Sequence, residues 1–181
     1  MQDFDFRQAE EKDIPDLAVL INRAYREDHK KSWSNESRFV AGDRINQAQL
    51  KDLIFPETVQ RNNSRLMVAE FNTDDHTEIF GCILIEFNQN IAEIGTFCIA
   101  PMWQNLNYGH QLLSKAEMYA LKINPDLYSY EMWVLNLRDE LIDFYLRRAY
   151  IKTGKISSYP VDACVGEPLT ELHLIHLQKI A

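Results

Sequence analysis

Hydrophobic and polar positions along this chain follow two periods, one typical of strands and the other of amphipathic helices. Apolar residues recur every three or four positions in four stretches, which predicts four helices. Short apolar or alternating runs bounded by turn residues predict the strands between them. The predicted helices span 13–25, 47–55, 109–123 and 139–149, and the predicted strands span 4–9, 66–71, 79–87, 91–100, 128–135, 150–157 and 169–180.

The order of these elements, β-α-α-β-β-β-α-β-α-β-β, contains no repeat, linker or low-complexity segment. The 181 residues are enough for one domain with a sizeable core. We therefore predict a single domain over 1–181.

A strand, a small loop and a helix follow one another between 93 and 123. Residues 94–100 are rich in β-formers, and Pro101 ends the strand because proline cannot continue a central ladder. Asn107 and Gly109 in the loop tolerate a positive φ. The helix N-terminus that follows has unpaired N–H groups, so an anion such as a pyrophosphate can bind there without a basic side chain. Tight strand–helix packing explains the same turn, and the pattern alone leaves both interpretations open.

Charge and cysteine usage narrow the classes of partner and compartment. A formal net charge of −8 argues against nucleic acid, which needs a basic footprint, and is compatible with a cationic amine. Cys82, Cys98 and Cys164 lack metal-ligand spacing, which predicts free thiols in a reducing, cytoplasmic setting. His173 and His176 would face opposite sides of a strand, so we predict no metal site. We expect no signal peptide and no membrane association, because no apolar run approaches spanning length.

The loop has the spacing Gln104-x-x-Asn107-x-Gly109, which resembles the Q/R-x-x-G-x-G/A loop of the GNAT N-acetyltransferase superfamily. That loop cradles the pyrophosphate of acetyl-CoA. Asn107 replaces the first glycine, and asparagine adopts the left-handed region readily. The resemblance implies an α/β (α+β) fold, a mixed, mostly antiparallel central sheet of about seven strands flanked by about four helices. The cofactor contacts it implies are Cys98, Ile99, Gln104, Asn105, Leu106, Asn107, Tyr108, Gly109, His110 and Arg138.

A second motif, RDELIDFYLRRAY at 138–150, resembles the family's closing motif N-x-x-A-x-x-(F/L)-Y-x-(R/K)-x-G-(F/Y). The tyrosine of that motif is a general acid towards the departing CoA thiolate, so the resemblance gives Tyr145 this role. A phenol with a pKa near 10 keeps its proton at neutral pH and can donate it. Arg138 and Ala149 depart from the motif's asparagine and glycine. The alternative is that Tyr145 only packs on an amphipathic helix.

Glu93 is the candidate base, since an amine with a pKa near 10.4 must lose a proton before or during attack. It stands eleven residues before Gln104, where histone-type members of the family carry a catalytic glutamate. A carboxylate with a raised pKa beside the acetyl site could accept the proton through water. A solvent-facing glutamate at a strand end is the alternative.

The segment 24–44 is expected to line the acceptor. Its pattern A-Y-R…W-(S/T)-x-E…G-x-R resembles a subset of bacterial and fungal GNAT-like proteins with no assigned acceptor. Trp33 could form a wall, Glu36 could pair with a cation, and Arg44 could bind a carboxylate. The competing interpretation is a loop held by an Arg–Glu pair, with Trp33 in the core. The predicted acceptor-binding residues are Tyr25, Trp33, Glu36 and Arg44.

We therefore predict an enzyme that transfers an acetyl group from acetyl-CoA to an amine by direct attack in a ternary complex, as a monomer or homodimer. The alternative class is a non-catalytic GNAT-like module that binds acyl-CoA as a sensor or serves as an interaction domain. Asn107 and Arg138, two departures at cofactor positions, keep that alternative open. The acceptor stays open among small amines, amino acids, peptide N-termini and lysine side chains.

Overall fold

A computed structural model describes residues 3–27, 35–55, 63–72 and 76–181. The helices in these ranges are α1 (Ile14–Arg26), α2 (Gln47–Ile54), α3 (Tyr108–Ile123) and α4 (Asp139–Leu146). The strands are β1 (Asp5–Gln8), β2 (Val40–Ala41), β3 (Ser64–Asn72), β4 (Thr77–Asn88), β5 (Ile91–Ile99), β6 (Ser129–Leu135), β7 (Ile151–Ser158), β8 (Glu167–Pro168) and β9 (His173–Ile180).

Seven strands form the central sheet, in the order β1-β3-β4-β5-β6-β9-β7, and β2 pairs with β8 in a small second sheet. Every neighbouring pair in the central sheet is antiparallel except β5 and β6, which are parallel. The predicted mixed, mostly antiparallel sheet flanked by four helices is confirmed. Among the described residues, no helix has both the length and the hydropathy needed to cross a membrane.

Each face of the sheet carries its own core. The alternation along β3 separates them, because successive side chains of a strand point to opposite faces. Leu66 and Val68 pack with α1 and α2, whereas Met67 and Ala69 pack in the cluster that contains α3 and α4. We call these the α1–α2 face and the α3–α4 face.

Two predicted boundaries differ from the structure by three residues or more, and two strands of the structure were not predicted. The last strand begins at His173 rather than at 169, and α4 ends at Leu146 rather than at Ala149. The strands β2 and β8 were not predicted, because two residues are too few to show an alternating pattern.

The end of α4 is fixed by a left-handed residue. Ala149 has φ +67°, and the backbone amides of Arg148 and Tyr150 both donate to the carbonyl of Tyr145, at 2.8 and 3.2 Å. The turn brings the ring of Tyr150 to 5.7 Å from the ring of Tyr145. A left-handed residue with a Cβ is strained, which is why glycine usually occupies this position after a helix.

We predict that Ala149→Gly stabilises the protein by about 1 kcal/mol, because glycine removes the left-handed strain. Urea unfolding followed by circular dichroism measures the change. Ala48→Gly, at an exposed position in α2, is the control and should destabilise instead, by up to about 1 kcal/mol. A destabilising Ala149→Gly would contradict the role given to this turn.

Candidate active site

The strands β5 and β6 separate after only three residue pairs. Ile91–Glu93 pairs with Ser129–Glu131, and no pair joins the two strands beyond Glu93 and Glu131. On its other side β5 contains one extra residue, because Cys82 pairs with Cys98 while Leu84 pairs with Gly95. This bulge includes Thr96, whose φ of +40° is unusual for a β-branched side chain. The bulge and the separation together open a gap in the sheet.

The gap leads into a cleft of about 630 Å³, which we call the central cleft. Past the last β5–β6 pair, the backbone groups of β5 that face β6 have no ladder partners in β6. The hydroxyl of Tyr25 on α1 donates to the carbonyl of Phe97, at 2.9 Å. Lining residues that matter for the chemistry are Tyr25, Arg44, Glu93, Phe97, Trp133 and Tyr145.

The two faces of the sheet meet in the central cleft. Tyr145 belongs to the core on the α3–α4 face. The neighbours of Glu93 on β5, Ala92 and Ile94, and those of Trp133 on β6, Met132 and Val134, pack on the α3–α4 face. Because side chains alternate along a strand, Glu93 and Trp133 both lie on the α1–α2 face. A group lying in the gap is therefore reachable from α4 on one side and from α1 and α2 on the other.

Tyr145 presents a phenol to the cleft from a buried position. Its ring is only 5 % exposed and lies 6.4 Å from the ring of Phe97. No hydrogen bond to its hydroxyl exists within the part of the chain that the structure describes. Burial raises the pKa of Tyr145 well above the usual range, against the smaller opposing effects of Arg138 and Arg148. The phenol is therefore protonated at neutral pH and can donate.

Glu93 lies in a row of three carboxylates. The strand register places Glu86 and Glu131 directly opposite it on either side. Its side chain is exposed to the cleft solvent, but partial desolvation by the walls raises its pKa, and the charges of Glu86 and Glu131 raise it further. Glu131 is itself held by His176, whose Nε2 lies 2.9 Å from Oε2, and by the Gln178 amide, at 2.8 Å.

The distance from Glu93 to the gap limits what this carboxylate can do. Thr96 is three residues further along β5, which is about 10 Å at the rise of a strand. A direct hydrogen bond from Glu93 to an amine at the bulge is therefore too long, and proton transfer between them requires water.

The loop before α3 places free backbone amides in a row. Asn105 and Asn107 are both left-handed, with φ of +61° and +64°, and α3 begins at Tyr108. Within the described part of the chain, the backbone amides of 105–110 form no hydrogen bond. These six N–H groups lie at a helix N-terminus, where an anion is stabilised. We call residues 104–110 the cradle.

A second cavity, of about 380 Å³, separates the cradle from α4. Arg147 and Arg148 line it opposite Asn107, Gly109 and His110. The guanidinium of Arg148 lies 3.5 Å from the centroid of the Phe144 ring, and its Nε donates to Nδ1 of His110, at 3.3 Å. Neither arginine was among the predicted cofactor contacts, although both follow Tyr145 closely in the second motif.

The other predicted cofactor contacts lie at varied distances from this cavity. Gln104 lines it, but its side-chain amide donates to the carbonyl of Ile99, at 2.8 Å, and so fixes the end of β5. Arg138 is buried at the N-terminus of α4 and lies 3.9 Å from Glu36, away from the cavity lining. Of the remaining four, Leu106 is exposed, Ile99 and Tyr108 are buried in the core of the α3–α4 face, and Cys98 is buried in the core of the α1–α2 face.

The structure places three of the four predicted acceptor-binding residues in one cleft. Tyr25, Glu36 and Arg44 all line the central cleft, whereas Trp33 lies outside the described residues. Glu36 pairs with Arg26, at 2.8 Å, so the Arg–Glu pair of the competing interpretation is present. Glu36 is therefore already neutralised before an acceptor binds.

Sequence reasoning missed Trp133, which lines the cleft from β6. Its ring lies 4.6 Å from that of His176. The signal was the alternation of β6, which places Trp133 on the same face as Glu131, but the register with β5 that brings this face to Glu93 is not readable from sequence. Among the described residues no group of metal-ligating side chains is present.

Comparison with known proteins identifies the class that this fold and site define. A sequence model described as the acetyltransferase (GNAT) family matches residues 19–150. The chain therefore belongs to the acetyltransferase (GNAT) family, which confirms the predicted family and the predicted enzyme class. A search of curated proteins finds no match.

Solved structures share the fold at low sequence identity. The ribosomal-protein alanine N-acetyltransferase of Escherichia coli is 12 % identical with a TM-score of 0.68, covering 98 % of this chain and 94 % of that one. Spermidine N-acetyltransferase of Vibrio cholerae, in complex with CoA and spermine, is 16 % identical with a TM-score of 0.68, covering 98 % and 95 %. The PaiA N-acetyltransferase of Thermoplasma acidophilum, in complex with CoA, is 17 % identical with a TM-score of 0.64, covering 99 % and 100 %. At these identities the likeness shows the fold alone.

We predict that Glu93→Gln raises the melting temperature at pH 8. The folded-state pKa of Glu93 is raised, so ionisation of this carboxylate destabilises the fold as the pH rises above the unfolded value of about 4.3. Glutamine cannot ionise, and its advantage should disappear below about pH 4. Thermal unfolding at several pH values measures the difference.

Glu171→Gln, at an exposed position before β9, is the matched control and should leave the pH dependence of the melting temperature unchanged. If the melting temperature of Glu93→Gln at pH 8 equalled that of wild type or fell below it, ionised Glu93 would not destabilise the fold.

Proposed function

We propose that this protein transfers the acetyl group of acetyl-CoA to an amine by direct attack in a ternary complex. The diphosphate binds the cradle, the thioester occupies the gap between β5 and β6, and the amine enters from the α1–α2 face. The observation that carries this proposal is the buried phenol of Tyr145, which faces the cleft and whose hydroxyl has no hydrogen-bond partner among the described residues. A hydroxyl that opens onto the cleft can donate to a ligand that enters it.

The cradle fits a diphosphate because its conformation is already formed. Asn107 occupies the left-handed position where the family motif usually has glycine. Asn105, Asn107, Gly109 and His110 line one cavity with Arg147 and Arg148, and the carboxylate of Glu140 lines it as well. Backbone amides and guanidinium groups together suit a phosphate anion. The departure at Asn107 is therefore compatible with cofactor binding.

The reaction we propose forms a C–N bond between the neutral amine and the thioester carbonyl and breaks the C–S bond. Tyr145 donates its proton to the departing thiolate, since burial keeps the phenol protonated. The proton lost by the amine passes through water to Glu93, because the carboxylate lies about 10 Å along the strand from the bulge. The raised pKa of Glu93 brings its basicity closer to neutral pH.

The geometry favours an enzyme over a non-catalytic acyl-CoA sensor. A sensor needs the cradle, but it has no need of an opening on the opposite face of the sheet. Here the cleft is open from the α1–α2 face and contains Tyr25, Arg44 and Glu93, none of which lines the cradle cavity. The amine acceptors named for two similar structures, spermine and a ribosomal-protein alanine, suit the same class of reaction.

We further propose that residues 1–181 act as one domain, as a monomer or homodimer, in the cytoplasm. The odd number of cysteines and their lack of metal-ligand spacing support a reducing compartment. The net charge of −8 supports an acceptor that is not a nucleic acid.

We predict that Tyr145→Phe lowers kcat by about 100-fold, the range expected for loss of a general acid, while acetyl-CoA affinity stays within about threefold. CoA release with an amine panel measures turnover, and calorimetry measures binding. Tyr119→Phe, on α3 outside both cavities, is the matched control and should behave as wild type.

Unchanged turnover in Tyr145→Phe would exclude the phenol from the mechanism. Absence of acetyl-CoA binding to the wild-type protein at millimolar concentration would overturn the proposed function as a whole.

A further inference from the structure

One guanidinium group in the central cleft, that of Arg44, forms no ion pair with any described residue. Arg44 is half-buried and lines the cleft, yet it forms no ion pair or side-chain hydrogen bond with any residue in the described ranges. The neighbouring Arg26 differs, since it pairs with Glu36 and donates to the carbonyls of Gly42 and Val165. A half-buried cation without an anionic partner would gain from an anionic ligand.

The position of Arg44 is fixed by α1. Oδ1 of Asn22 accepts the backbone amides of Arg44 and Ile45, at 2.7 and 3.2 Å, and Nδ2 of Asn22 donates to the carbonyl of Ile45, at 2.8 Å. The guanidinium lies 5.4 Å from the centroid of the Tyr25 ring. The backbone clamp and the aromatic ring hold the charge in place before a ligand arrives.

The same tyrosine connects Arg44 to the site of reaction. Tyr25 donates through its hydroxyl to the carbonyl of Phe97 at the bulge. One tyrosine ring therefore separates the guanidinium from the gap in which the thioester is proposed to lie. An anion bound by Arg44 would be close to the attacking amine.

The phosphates of the cofactor are not this anion. The cradle and its two arginines line a separate cavity between the loop and α4, and Arg44 does not line that cavity. Arg44 repels a polycation at its own end of the cleft, where Glu36 is already paired, although Asp52, Glu86, Glu93 and Asp162 also line the cleft.

We propose that the acceptor is an α-amino acid or a close analogue, whose carboxylate binds Arg44 while its amine attacks the thioester. This inference rests on the proposed acetyl transfer and names its substrate class. A guanidinium recognises a carboxylate through two parallel hydrogen bonds, which fixes orientation as well as charge. The carboxyl carbon of an α-amino acid is two bonds from its nitrogen, so a carboxylate on Arg44 would hold the amine beside Tyr25, whose hydroxyl bonds the carbonyl of Phe97 at the bulge.

The test compares free α-amino acids with their carboxamides, which keep the amine and lose the negative charge, and includes putrescine as a dication. CoA release is measured with acetyl-CoA at saturation. We expect kcat/KM to be about 10- to 100-fold higher for the acids than for the carboxamides, mainly through a lower KM. This is the range expected for the loss of one charged, hydrogen-bonded pair.

Arg44→Gln should remove this preference, and Arg44→Lys should restore part of it, because lysine keeps the charge without the bidentate geometry. Arg23→Gln, an exposed position on α1 that pairs with Glu27, is the matched control and should keep the preference. A preference for the amides or for putrescine, or an acid preference that survives Arg44→Gln, would overturn the inference.

A failure of the proposed function gives a different result. If no amine releases CoA, binding of N-acetyl amino acids is measured by ligand-observed NMR on wild type and Arg44→Gln. Binding that depends on Arg44 supports a carboxylate site without catalysis, and absence of such binding overturns the inference.

Discussion

The separation of β5 and β6 is the constraint on which the rest of the structure depends. A parallel ladder that continued past Glu93 and Glu131 would close the sheet and leave the two faces without a connection. The bulge at Thr96 turns β5 away from its regular path, and Tyr25 bonds the carbonyl of Phe97 at the same place. Opening the sheet leaves backbone groups without ladder partners, which is tolerated where water or a ligand can reach them.

The site combines strained features with cores that hold them. The left-handed Thr96 and the row of carboxylates on three adjacent strands both oppose folding. Separate apolar clusters on the two faces of the sheet stabilise the strands on which these features lie. Strain of this kind is typical of sites prepared for a ligand, since the surrounding packing keeps them in place. The stability predicted for Glu93→Gln and the activity assigned to Glu93 are thus two consequences of one arrangement.

Local features of the site were predictable from sequence, and features that depend on register were not. The cradle could be predicted because its conformation is set by neighbours in the chain, with asparagine supplying the left-handed turn at 107. The position of Tyr145 on α4 followed from its motif, and the element order followed from the two hydrophobic periods. By contrast, the pairing of Glu36 with Arg26 and the position of Trp133 opposite Glu93 depend on loop packing and strand pairing. A single sequence contains no signal for these distant contacts.

A crystal structure of the protein with bound CoA tests the central claim most directly. The account predicts that the sulfur atom lies in the gap between β5 and β6, within hydrogen-bond distance of the Tyr145 hydroxyl. The diphosphate should accept hydrogen bonds from the amides of 105–110. A sulfur atom outside the gap, or a ladder between β5 and β6 that continues beyond Glu93, would contradict the account.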